Sequence, residues 1–126
     1  MGLHVLLVED DDLLRGLTAR ILRSLGHDVH EAGDGPGAMA AISADSSFDV
    51  VFADVKLGGG FDGMELARRA LVACDWLHVV LTSGDPSTFR ASAELGSRVT
   101  TLAKPYRKDQ LQALLESVGE RTPPSS

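Results

Sequence analysis

Apolar residues along this chain alternate between two spacings. Short continuous runs occupy His4 to Val8, Asp28 to Ala32, Phe48 to Ala53, His78 to Thr82 and Val99 to Ala103. Most are too uniformly apolar to leave one face wet, which is how strands covered on both sides of a sheet read. Between the runs the spacing changes to three or four residues: Leu14, Leu17, Ile21 and Leu25; Met64, Ala67, Leu71 and Cys74; Leu111, Leu114, Leu115 and Val118. Each set predicts an amphipathic helix. Ala38, Ala41 and Ile42 predict a shorter helix after the turn Asp34-Gly35-Pro36-Gly37, and Ser87 to Leu95 a weaker one stopped by Gly96. The weak helix is the one expected to move.

Five strand-helix cycles joined by right-handed crossovers give a doubly wound α/β domain with five helices around a five-stranded parallel sheet. The flavodoxin-like order 2-1-3-4-5 is the natural choice, and it gathers functional groups at the carboxyl ends of the strands. Residues 1–120 are expected to form the domain. The stretch 121–126, with no apolar periodicity, reads as a frayed tail or linker stub.

Composition narrows the function classes. At 126 residues the chain fits one domain with one core. A net charge of -6 argues against unaided binding to nucleic-acid phosphates or an anionic membrane, so proteins or cations are the expected partners. Cys74 is the single cysteine and has no internal disulfide partner, which fits a reducing compartment. No apolar run is long enough to span a bilayer, and the start of the chain lacks the basic region of a secretory signal. A cytoplasmic location is expected.

The strand ends carry the chemistry. The first strand runs into Glu9-Asp10-Asp11-Asp12, where Asp11 or Asp12 is expected to cap the next helix. The third strand delivers Asp54 into the neighbouring crevice, so two strand ends supply hard oxygen ligands of the kind that suit magnesium. The fourth ends Thr82-Ser83-Gly84, a hydroxyl beside a residue without a side chain, where an anion can come close. From the fifth, Lys104-Pro105 places a cation within reach of Asp54. One such residue at a strand end is unremarkable, whereas four separate strand ends converging on one chemistry are not.

Val8-Glu9-Asp10, Asp49 followed by Asp54, Thr82-Ser83-Gly84 and Lys104-Pro105 together resemble the motif set of bacterial response-regulator receiver domains, over about residues 3 to 120. The resemblance implies that Glu9 and Asp10 are an acidic metal pair for Mg2+ or Mn2+ and that Asp54 is the phosphoacceptor. It further implies that Ser83 is the switching hydroxyl, that Lys104 contacts phosphate, and that the Lys56 backbone carbonyl is a metal ligand. It makes the Lys104-Pro105 bond a candidate cis peptide. The implied phosphodonor is a histidine kinase or phosphotransfer protein, the implied target a downstream protein or tethered output domain. The domain would be a phosphoacceptor that assists its own chemistry, not an enzyme acting on an outside substrate.

Two positions depart from that pattern. Thr101 stands where the family usually has a switching aromatic, and Gly58 where it most often has proline. Gly58-Gly59-Gly60 predicts a mobile loop, with Gly63 near the start of the third helix. Lys56 and Asp85 are expected to pair across the mouth of the site. His4, His27, His30 and His78 show no ligand spacing, and Trp76 reads as a packing residue. A haloacid-dehalogenase-type phosphatase is disfavoured because it wants a second Asp where this chain has Lys56. An FMN module of the same fold is disfavoured by the carboxylates after the first strand. A pure interaction domain that keeps the pocket without using it is the third reading.

Overall fold

Alternation within each strand decides which side of the sheet a residue covers. The computed structural model describes residues 2–121. It runs β1 (His4–Val8), α1 (Asp12–Ser24), β2 (Asp28–Ala32), α2 (Gly35–Ala44), β3 (Val50–Asp54), α3 (Gly63–Ala73), β4 (His78–Ser83), a 3-10 segment (Pro86–Leu95), β5 (Val99–Ala103) and α4 (Lys108–Arg121). All strand pairs are parallel, in the order β2-β1-β3-β4-β5. The expected tail falls largely on residues 122–126, outside the described residues.

Val5, Leu7, Val50, Phe52 and Val80 face one layer, where Ala19 and Leu22 of α1 and Leu111, Leu115 and Val118 of α4 meet them. Leu6, Val8, Val51, Ala53, Val79 and Leu81 face the other, against Ala38 and Ile42 of α2 and Met64, Ala67 and Leu71 of α3. Burying each large side chain contributes about 1.5–3 kcal/mol, so β1, β3 and β4 form the rigid centre. β2 and β5, at the edges, are only partly covered.

Aspartates start the helices. Asp11, Asp34 and Asp62 each accept the amide three residues on, from Leu14, Gly37 and Glu65, which satisfies donors that a first turn leaves unpaired. Asp34 lies ahead of Pro36 in the first turn of α2, so the expected turn Asp34-Gly35-Pro36-Gly37 is already the helix start.

Two expectations need correction. In α1 the buried residues are Thr18, Ala19 and Leu22, whereas Leu14 and Leu17 are exposed. The expected stripe and the core face overlap only in part, since Ile21 and Leu25 pack against the core beside Ala19 and Leu22. The weak fourth helix is a 3-10 segment of ten residues, far longer than such runs usually are. Asp85 caps it through bonds from the Ser87 amide and hydroxyl.

Arg98, in the turn before β5, ties the lower end of the fold together. Its guanidinium donates to the carbonyls of Leu71 (2.8 Å), Cys74 (2.7 Å) and Leu77 (3.2 Å), at the end of α3 and in the loop after it.

Candidate functional site

Register brings the strand ends level. Val8 lies opposite Ala53, Asp54 opposite Thr82, and Ser83 opposite Ala103, so the residues that follow emerge along one edge of the sheet. There Lys104 Nζ donates to Asp54 Oδ2 and stands 3.9 Å from Glu9 Oε2. The other oxygen of Asp54 accepts the Lys56 amide at 3.0 Å. Both ends of the carboxylate are therefore oriented, while its side chain keeps 14% exposure at the mouth of the site. The Lys104 amide donates to the Ser83 carbonyl at 2.9 Å, and the Lys104-Pro105 peptide is cis as expected.

Negative charge is in excess. Burial pushes the Glu9 carboxyl above its usual range, and the neighbouring Asp10 and Asp54 add to the rise, against relief from the Asp11 amide and Lys104. For Lys104, burial works to lower the ammonium value, yet the hydrogen bond and charge of Asp54, with Glu9, leave it raised. Asp10 lies the other way: the Gly58 amide at 3.0 Å holds its carboxyl below the ordinary value. Glu9, Asp10 and Asp54 share the edge, but among the described residues no group of three or more His, Cys, Asp or Glu is arranged to hold a metal ion.

Ser83 is buried on the same edge, with its hydroxyl turned to its own loop. It donates to the Asp85 carbonyl at 3.1 Å and accepts the Asp85 amide at 3.0 Å. The expected pairing of Lys56 with Asp85 does not form. Asp85 is committed to Ser87, whose bonds hold its carboxyl low, and Lys56 adds only a weaker attraction. Thr101 sits within β5 opposite Leu81. Asp49 lies at the other end of the sheet, where it accepts the His4 amide at 2.8 Å.

The glycine-rich loop passes close to the start of α2. Gly59 and Gly60 have φ of 77° and 142°, which side-chain-bearing residues rarely adopt. A Cβ on Gly60 would lie 2.9 Å from Pro36, and one on Gly35 2.4 Å from the Phe61 ring. Arg69 covers that ring at 4.0 Å. The loop is thus pressed onto the first turn of α2.

Sequence reasoning missed several supports. Arg15 donates to the Glu9 carbonyl at 2.8 Å and pairs with Asp12 and Glu31, fixing the acidic turn against β2. Its spacing of three from Asp12 was the available signal. Gly63, noticed only for its place near a helix start, passes so close to β3 that a Cβ would lie 2.2 Å from the Asp54 carbonyl oxygen. Tyr106, two residues past Lys104, packs edge-on to Phe52 at 6.1 Å, and burial pushes its phenol up despite a bond to Thr18.

Comparison with known proteins agrees with this geometry. The family model described as response regulator receiver domain matches residues 5–116. The transcriptional regulatory protein TcrA of Mycobacterium tuberculosis is 35% identical over 97% of this chain and 48% of its own length. Response regulator MprA of Mycolicibacterium vanbaalenii is 31% identical over 98% of this chain and 53% of its length. The chain thus spans about half the length of the curated relatives it matches. Among solved structures, NtrX from Brucella abortus superposes with a TM-score of 0.85 at 31% identity, over 95% of this chain and 27% of that one. The receiver domain of the hybrid histidine kinase CckA gives 0.74 at 30% identity, over 91% and 97%. Among the described residues no helix is long and apolar enough to cross a membrane. By motif edge, strand order and sequence match alike, the chain belongs to the response regulator receiver domain family of two-component signalling.

Proposed function

We propose that Asp54 accepts a phosphoryl group from the phosphohistidine of a histidine kinase or phosphotransfer protein, and that the change in charge alters the surface read by a downstream protein or a tethered output domain. The observation that carries this reading is the Asp54 carboxylate, held at both oxygens by Lys104 and the Lys56 amide yet open to the mouth of the site. One carboxylate oxygen attacks phosphorus in line. The bond from phosphorus to the imidazole nitrogen breaks, and the imidazole leaves with the electron pair. Lys104 follows the charge onto a phosphoryl oxygen, and Ser83 exchanges its bonds to Asp85 for another.

The donor chemistry fits a hard divalent cation, Mg2+ or Mn2+. Glu9 and Asp54 share the single Lys104 ammonium, with Asp10 beside Glu9 on the same edge, and hard oxygen donors of this kind suit such an ion. Glu9, Asp10, Asp54 and the Lys56 carbonyl would hold the ion, with Asp10 first leaving Gly58. When bound, it offsets charge on the phosphoryl oxygens. In this reading residues 1–120 are the switching unit, working in the cytoplasm on their own Asp54 and not turning over an outside substrate.

Incubation with acetyl phosphate and Mg2+ tests the proposal. Wild type should gain hydroxylamine-labile phosphate and Asp54→Asn none. Equal labelling of both, or labelling of neither, would refute it.

A further inference from the structure

The Gly58 amide donates to Asp10 Oδ2 at 3.0 Å from 48 residues away in sequence, and of the backbone amides acting on that carboxylate it has the largest effect. Its position is not accidental slack. Upstream, the Lys56 amide is tied to Asp54. Downstream, Gly59 lies against the Asp34 side chain, Gly60 against Pro36, and Phe61 sits between Gly35 and Arg69. The amide is thus presented from a braced loop to an otherwise exposed carboxylate. A Cβ on Gly58 would stand 3.3 Å from the same Asp10 oxygen, the end of a side chain free to shift.

A carboxylate oxygen that accepts this bond has less lone-pair capacity for a cation. Asp10 is also one of the acidic residues at the edge, in side-chain contact with Glu9. From this geometry we infer that Gly58 is a positioning residue for metal binding: its N–H competes with a divalent cation for Asp10, lowering metal affinity. The inference rests on the metal site proposed above. Proline, which has no N–H, would abolish the competition, whereas alanine would retain it.

Mg2+ titration of the whole chain by calorimetry, with Mn2+ as a second probe, tests the idea. Gly58→Pro should bind about three- to tenfold more tightly than wild type, the upper value corresponding to ~1.4 kcal/mol, near the top of the range for one ordinary hydrogen bond. Gly58→Ala should stay within about twofold of wild type, because the same bond survives. In an Asp10→Asn background the gain from proline should vanish. A folded Gly58→Pro that binds Mg2+ no better than wild type overturns the inference and leaves the metal site standing. Wild type that binds neither ion overturns the metal site itself. Should the proline variant fail to fold, amide exchange decides in wild type: Gly58 N–H must lose protection on saturation with Mg2+, and unchanged protection sinks the competition.

Discussion

Gly63→Ala adds one carbon where α3 crosses the end of β3, and the structure fixes what that carbon meets. It would lie 2.2 Å from the Asp54 carbonyl oxygen and 2.9 Å from both the Asp54 carbonyl carbon and the Val55 Cα. All of these are backbone, so no rotamer change relieves the overlap. The start of α3 must lift from the sheet, stretching the 2.8 Å bond from the Gly63 amide to the Val55 carbonyl. Overpacking of this kind costs about 1–3 kcal/mol and a weakened buried hydrogen bond roughly 1 more, against a gain of at most about 1 for replacing glycine in a helix. The net loss is about 1–3 kcal/mol. At the entropy expected for 126 residues, each kcal/mol shifts Tm by roughly 4 °C, giving a fall of about 4–12 °C. Melts followed by circular dichroism measure it, with Gly16→Ala as the control. Gly16 lies within α1 and has nothing within 4 Å of its missing Cβ, so that variant should melt about 2–4 °C higher. Because the same peptide carries Asp54, the acetyl phosphate reaction should also slow in Gly63→Ala. A Gly63→Ala protein melting at or above wild type would show that the helix start is not fixed by contact with Asp54.

Arg98→Ala leaves the Leu71, Cys74 and Leu77 carbonyls without their shared donor and should cost about 2–3 kcal/mol, a Tm drop of roughly 8–12 °C, while Arg98→Lys should recover less than half. His27 accepts the Leu3 amide on Nδ1 at 2.9 Å, and burial lowers its value below 6.5. The folded state then binds fewer protons than the unfolded one, so stability should fall as pH drops below 6.5, and urea midpoints of His27→Gln should lack that acid slope. Lys104→Met should slow phosphorylation by at least about a hundredfold. Since the folded-state lysine value is raised, the defect measured at fixed Mg2+ should not vary with pH below the ordinary 10.5, and a defect that closes towards neutral pH would argue against the ammonium as the acting group.

β1, β3 and β4 were legible because burial on both faces leaves so little freedom in residue type; β1, β2 and β5 have the expected bounds, and β3 and β4 differ only at their ends. Asp54 and Lys104 were legible for the same reason, since a charged residue ending an apolar run has one place to go. Less was visible in α1, where periodicity finds Leu14 and Leu17 but does not show that the buried positions are Thr18, Ala19 and Leu22. Hydrogen bonds between distant segments were out of reach altogether. Nothing in Gly58 announces Asp10, and Arg98 reads as any surface arginine until the end of α3 is placed beside it. The approach of the glycine triplet to Asp34 and Pro36 was hidden for the same reason, since composition reports permitted backbone freedom and not the neighbours.

The long 3-10 crossover also sets a length. Ten residues rising about 2.0 Å each reach roughly 20 Å, whereas the same ten wound as α-helix would reach about 15 Å. The connection from β4 to β5 is therefore drawn out like an extended spring whose upper hook is the turn at Ser83 and Asp85. The same ten residues as α-helix would be shorter by about one helical pitch, so the 3-10 winding is what lets this crossover reach as far as it does.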